Sequence, residues 1–210
     1  MRVNKQDIEK MDRTYRLNLI NSISGVKPAN LVGTRSADGK DNLAIFSSVV
    51  HLGSNPAQLG LVMRPQNQEL KDTYANIINT GVYTINHVSE SFAKKAHYTS
   101  AKLKREESEF DLMKIERQFI DGFKAPFVKQ SEVKIGMSLL EKIDLPNNCI
   151  FIVGEVVLVD FPVESVNDLG QLDMSTYGGV GISGLNTYYA LNKIATYPYV
   201  RVDEIPNFNE

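Results

Sequence analysis

The chain has 210 residues, 42% hydrophobic and 23% charged, with 23 Lys and Arg against 25 Asp and Glu and a formal net charge of −2. At roughly 150 residues per domain this leaves one large domain or a tight pair, with enough apolar residues for a sizeable core; a single domain spanning 1–210 is expected. The balanced charge argues against a phosphate-tracking nucleic-acid binder, and no run of about 18 apolar residues offers a membrane span. The polar opening MRVNKQDIEKMDRTYR has no apolar stretch of the kind a secretory signal needs. The lone Cys149 has no partner for an internal disulfide and no second thiolate for a metal. The expectation is a soluble protein of the cytoplasm.

In chain order, Ile8, Met11, Tyr15 and Leu19 recur at helical spacing and predict a short amphipathic helix over 7–20. Strand texture begins at Ala29–Thr34 and runs through a turn at Asp38-Gly39, since Asp-Gly is a strong hairpin signal. It resumes as one strand over Asn42–Val50, turns at Gly53–Pro56, and closes an antiparallel meander with Gln58–Met63. Leu70, Tyr74, Ile77 and Ile78 share one face of a helix expected over Glu69–Thr80, with Gly81 at its C-terminal cap. A strand over Val82–Val88 follows, and Ser89 is placed to cap the next helix. The charged stretch 101–112 (Lys102, Lys104, Arg105, Glu106, Glu107, Glu109) reads as a solvated helical face. Strands return at 132–142 and at Cys149–Phe161, the latter long enough for a central barrel strand. The whole predicts a mainly β fold, a β-barrel with helical decoration, and not a doubly wound sheet.

Chemistry-bearing motifs are few. Gly179-Val180-Gly181-Ile182-Ser183-Gly184 has the form G-x-G-x-x-G but no strand before it and no βαβ unit around it, so a flexible glycine-rich loop is expected. His51, His87 and His97 show no metal-ligand spacing, and His87 reads as a structural strand histidine. No G-x-S-x-G elbow is present, and Cys149 reads as an inert small hydrophobe. The informative residues lie in 27–88: the hydroxyls Ser47 and Ser48, the cation Arg64, and Lys71-Asp72-Thr73 at a helix start. Free N–H groups at a helix N-terminus with Lys or Arg nearby suit a phosphate dianion. The same residues also fit a solvated lysine and ordinary strand serines.

Residues Lys27 to Ser48 resemble the opening hairpin of the FMN-binding split-barrel proteins of the flavin reductase-like family. There a proline-containing entry leads through a strand and a D-G turn to an N-x-A-P-x-S-type segment. Lys71-Asp72-Thr73-Tyr74-Ala75-Asn76-Ile77 is similar to the family's K-D-T-x-x-N-I helix start, Gly81–Asn86 to its G-E-F-V-V-N strand, and Gly184–Tyr189 to the G-L-D-x-Y-Y tail of one branch. Ile45, Asn30 and Asn186 depart from the family pattern, standing for proline, an apolar residue and aspartate. The resemblance implies a split-barrel homodimer with FMN near the subunit interface. Carried over by position, Ser47, Ser48 and Val49 line the isoalloxazine ring, and Thr34 and Asn42 support that edge. Arg64, Lys71 and Thr73 hold the phosphate, with Asp72 capping the helix. Asn86 reaches the ring or ribityl chain, and Tyr188 or Tyr189 covers the flavin. The implied activity is an NAD(P)H-dependent flavin reductase passing hydride from nicotinamide to flavin N5, with no side-chain acid or base required. The alternatives are a flavoredoxin-like electron carrier that meets a protein electron donor, and a non-catalytic ligand-binding barrel.

Overall fold

Asp12 interrupts the lead-in helix, so the expected single helix is two. Its carboxylate accepts from the backbone N–H of Thr14 and Tyr15, capping α2 (Arg13–Ser22) just after α1 (Lys5–Lys10) has ended. The structure, a computed structural model, describes residues 1–66, 72–104 and 106–208. After α2 come β1 (Lys27–Pro28), β2 (Asn30–Arg35), β3 (Asp41–Phe46), β4 (Val49–Ser54) and β5 (Ala57–Met63). The Asp38-Gly39 turn joins β2 to β3 as expected. The strand expected over Asn42–Val50 is broken at Ser47-Ser48, and its halves pair with different partners: β3 with β2, β4 with β5. The continuous meander is thereby corrected to two hairpins.

Helix α3 (Asp72–Thr80) supplies the described part of the expected helix, residues 69–71 lying outside the described ones. Gly81 ends it with φ +72°, its N–H donating to the Ile77 carbonyl, a conformation that costs a Cβ-bearing residue more. Strand β6 (Val82–His87) follows, then α4 (Ala93–Tyr98), α5 (Glu109–Leu112), β7 (Arg117–Gln118) and β8 (Phe127–Val128). The long strands β9 (Lys134–Asp144) and β10 (Ile150–Asp160) start and end within two residues of expectation. Ser89 precedes a short 3-10 turn but makes no capping bond, its hydroxyl pairing instead with that of Ser91. The glycine-rich segment is not a loop: Val180–Ser183 is β11, mostly buried, pairing with β1 and with β12 (Thr187–Ala190). Gly181 lets it lie close beneath Val26, where a Cβ would collide.

One sheet holds seven strands in the order β3-β2-β6-β9-β10-β5-β4. Its two end strands, β3 and β4, are consecutive in the chain and joined only by Ser47 and Ser48. Three Cα steps from Phe46 to Val49 reach at most about 11 Å. In a flat sheet those ends would lie six strand spacings, roughly 29 Å, apart. The sheet must therefore curl until its edges meet, and the result is a barrel with a seam between β3 and β4.

Val32, Leu61, Met63, Tyr83, Ile85, Met137, Ile150 and Ile152 form one core cluster on one face of this sheet, joined by Ile77 of α3. A second cluster joins Leu31 and Leu43 on the opposite face to Phe92 and Ala96 beside and within α4, Phe110 of α5, and Val180 and Ile182 of β11. No helix among the described residues is long and apolar enough to cross a membrane. Gly33 in β2 lies so close under the chain at Pro126 that a Cβ would collide with the Pro126 carbonyl oxygen and the Thr84 hydroxyl. The Gly33→Ala variant is expected to lose about 2 kcal/mol or more of stability in urea denaturation, because the obstructing atom is backbone and cannot swing aside.

Candidate functional site

Closing a sheet on itself still leaves β3 and β4 each with one ladder partner, so backbone N–H and C=O groups along the seam need other company. Helix α5 supplies it for the first half of β3. The Glu109 carboxylate, 6% exposed, accepts from the Leu43 N–H at 3.0 Å and from Asn42 Nδ2 at 3.1 Å. Ser108 donates its hydroxyl to the Asp41 carbonyl at 2.7 Å. Asn42 Oδ1 accepts from the Thr73 hydroxyl at 2.7 Å, and Asn76 Nδ2 donates to the Thr34 hydroxyl at 3.1 Å. This network ties α3 and α5 to β2 and β3. Burial pushes the Glu109 carboxyl above the ordinary range, and the nearby Asp72 charge adds to that, against the pull of the Leu43 and Asn42 donors.

Beside it, Asp41 holds two guanidinium groups. Arg35 donates from Nε at 2.7 Å and from Nη2 at 3.0 Å, and Arg117 donates from Nε at 2.9 Å. Arg35 also lies over the Phe119 ring, and Arg117 over Phe110.

Among the described residues, the second half of the seam has no such cover. The Ser48 hydroxyl donates to the Val62 carbonyl at 2.7 Å and the Val62 N–H to the Ser48 carbonyl at 3.4 Å, pinning the crossing to β5. The Ser47 hydroxyl makes no hydrogen bond among the described residues. Two residues past Val62, Arg64 is exposed, and its guanidinium finds no partner among the described residues. In register with Phe46, at the end of β2, buried Asn30 has an Oδ1 with no donor. A hydroxyl, a cation with no partner among the described residues, and strand edges that no strand covers are chemistry an anionic group can use, so these residues fit a phosphate-bearing cofactor, whereas the buried Asn30 Oδ1 asks for a donor.

Of the residues expected at the site, the structure thus gathers Ser47, Ser48, Val49 and Arg64 at the open seam. Thr34, Asn42 and Thr73 sit together in the buried network, where they hold the seam's walls. Lys71 lies outside the described residues. Asn86 sits apart from the seam: it is fully buried, donates to the Leu31 carbonyl and the Thr84 hydroxyl, and accepts from the Val128 N–H. Tyr188 stacks edge-on against His97, with 3.2 Å between its hydroxyl and Nδ1, and packs on the helix-side core cluster. A recorded surface depression of about 490 Å³, lined by residues including Arg35, Gly39, Asn79 and Lys124, includes none of the expected site residues.

Sequence reasoning missed Glu109, hidden within a charged run. The helical face expected over 101–112 shrinks to α5, and Lys102, Lys104, Glu106 and Glu107 are exposed outside it. The hint was Phe110 beside Glu109, an apolar residue where a solvated face should have none. His87 is structural as expected, its Nδ1 2.9 Å from the Tyr177 hydroxyl, and burial pushes its pKa down to about 4.

By fold and seam this is a split-barrel protein. The family model of the flavin reductase like domain matches residues 26–171, and the chain belongs to that family. A Shewanella frigidimarina protein assigned as a flavin reductase with a split barrel domain is 41% identical, with 95% of this chain and 100% of that one covered and a TM-score of 0.91. Nitrilotriacetate monooxygenase component B of Bacillus cereus is 21% identical over 94% of this chain and 98% of that one, with a TM-score of 0.81. The flavoredoxin of Desulfovibrio vulgaris is 20% identical over 83% and 91%, with a TM-score of 0.71. These two likenesses are of fold, whereas family membership makes the chain a flavin-related oxidoreductase.

Glu109→Ala is expected to cost about 2–4 kcal/mol in urea denaturation, because it strands the Leu43 N–H and the Asn42 amide. Glu109→Gln, which keeps an acceptor oxygen, should cost clearly less. His87 gives a pH signature. The unfolded chain takes up its proton near pH 6.5 and the fold only near pH 4, so stability is full above pH 6.5 and falls as pH drops through 4. His87→Gln should remove up to about 3 kcal/mol of that acid decline, and less where water reaches the ring.

Proposed function

We infer that the protein binds FMN along the open half of the seam and acts as an NAD(P)H-dependent flavin reductase, working as two copies in the cytoplasm. The observation that carries this reading is the crossing at Ser47-Ser48, where a strand break joins two unpaired strand edges and where the Ser47 hydroxyl and nearby Arg64 have no partner among the described residues. Family membership supports the flavin. When bound, FMN supplies hydride and electron transfer, and the protein supplies position and electrostatics. Ser47, Ser48 and Val49 would meet the ring through backbone groups and hydroxyls. Arg64, with Lys71, would hold the phosphate. Thr34, Asn42 and Thr73 would fix the wall on which the cofactor lies, with Glu109 keeping β3 in place behind it. The assembly into two copies is supported by the apolar outer face of β4 and β10, where Val50 and Val157 are exposed.

Purified protein given FMN anaerobically should show a protein-perturbed flavin spectrum that bleaches within seconds of NADH or NADPH addition. A bound flavin that stays yellow would replace the reductase with an electron carrier fed by a protein donor, and no bound flavin would sink the reading. Arg64→Ala should raise the FMN Kd at least tenfold with the fold intact, from the loss of a charge-assisted contact of about 1.5–3 kcal/mol.

A further inference from the structure

Beyond β12 the chain ceases to belong to its own body. Lys193 pairs with Asp173 at 3.1 Å, and every residue from 192 to 208 is exposed. This segment is far from polar. Ile194 is 99% exposed, Tyr199 89% and Phe208 84%, with Tyr197, Val202 and Ile205 likewise in solvent. Its one short turn, Val202–Glu204, is held by a local bond from the Glu204 N–H to the Arg201 carbonyl. A chain that cannot bury such residues gains nothing by ordering them and would expose a continuous apolar surface.

The outer face of the barrel has the complementary deficit. Val50, Ile143 and Val157 project from β4, β9 and β10 into solvent, and the Phe151 ring lies over Gly60 beside them. The total surface gives the scale. A folded monomer of 23.5 kDa should expose about 9,800 Å². The chain exposes 13,672 Å², an excess of about 3,900 Å² over that scaling. Stable obligate dimers bury roughly 2,000–5,000 Å² over both partners, so the excess on each chain is ample for one. Eighteen or so extended residues reach up to about 60 Å, enough to cross onto a neighbour.

We propose that residues 191–208 form an exchanged arm, each copy laying its arm across the outer face of β4, β9 and β10 of a second copy. This rests on the two-copy assembly inferred above and is independent of the flavin. The arrangement is reciprocal, as a two-fold pair requires, and it covers the orphan arm and the orphan face with one another.

Trypsin cleavage at Arg201 reads the arm directly, with a synthetic peptide of residues 191–208 as the unprotected reference and analytical ultracentrifugation reporting copies per particle. In the intact protein, two copies per particle with Arg201 cut at least tenfold more slowly than in the peptide is the expected result. The Val50→Lys, Val157→Lys double variant changes only exposed side chains, and should become a single copy whose arm is cut at the peptide's rate. Two copies with an arm cut as fast as the peptide would overturn the exchange and leave the assembly standing. A single copy of the intact protein would overturn both, and a single-copy variant with a protected arm would show the arm folded on its own chain. A double variant that keeps two copies and a protected arm would remove the receiving face from the proposal. FMN titration of the same samples reports the flavin reading separately.

Discussion

Two residues hold the edges of a seven-stranded sheet together. Ser47 and Ser48 join strands that lie at opposite ends of the strand order, and so short a link is compatible only with a closed sheet. Closure fixes which side chains face inward: Val32, Ile85, Met137 and Ile152 meet in one core because four strands are rolled around it. Closure also decides where the barrel is incomplete. Backbone groups on the facing edges of β3 and β4 are not paired with each other, and the candidate site occupies the half of that gap that no described residue fills.

The filled half shows what it takes to bury a strand edge without a strand. A carboxylate accepts two donors at once, so Glu109 replaces a ladder partner for Leu43 and anchors Asn42. Asn42 passes the connection to Thr73 of α3, and Asn76 of the same helix reaches Thr34. Burying an acid this way raises its pKa, a cost met by the donors around it. The result is a rigid polar wall, suited to presenting neighbouring open backbone groups at fixed positions.

Much of this was legible in the sequence because the relevant signals are local. Asp38-Gly39 marks a hairpin, Gly81 ends a helix, and the long apolar run Ile150–Val159 gives a central strand, each from the needs of adjacent residues. The seam residues Ser47, Ser48 and Arg64 were legible through resemblance, since nothing in their own spacing brings a strand end and a later cation together. What the sequence withheld depends on partners distant in the chain. Asn86 looks like any strand asparagine until Val128 and Leu31 are seen to consume its amide. Glu109 looks solvated among its charged neighbours until Leu43, far upstream, is found donating to it. Val180–Ser183 looks like a loop because its glycines break strand propensity, yet close packing under Val26 is what those glycines permit.

The pairing of β5 with β10, in which Leu61 lies opposite Ile152, has a consequence for how the protein is made. During synthesis the β2–β3 and β4–β5 hairpins emerge early, but the strand that closes the ring emerges some ninety residues after Leu61. Until then β5 has only β4 beside it, and its other edge, with the apolar residues Leu59, Leu61 and Met63, is open to any strand it meets. Non-local closure of this kind carries its loop entropy before its reward, so folding is slow and the half-made barrel is the species most exposed to aggregation. The stage that leaves most strand edge uncovered is thus the one at which the first hairpins are already complete.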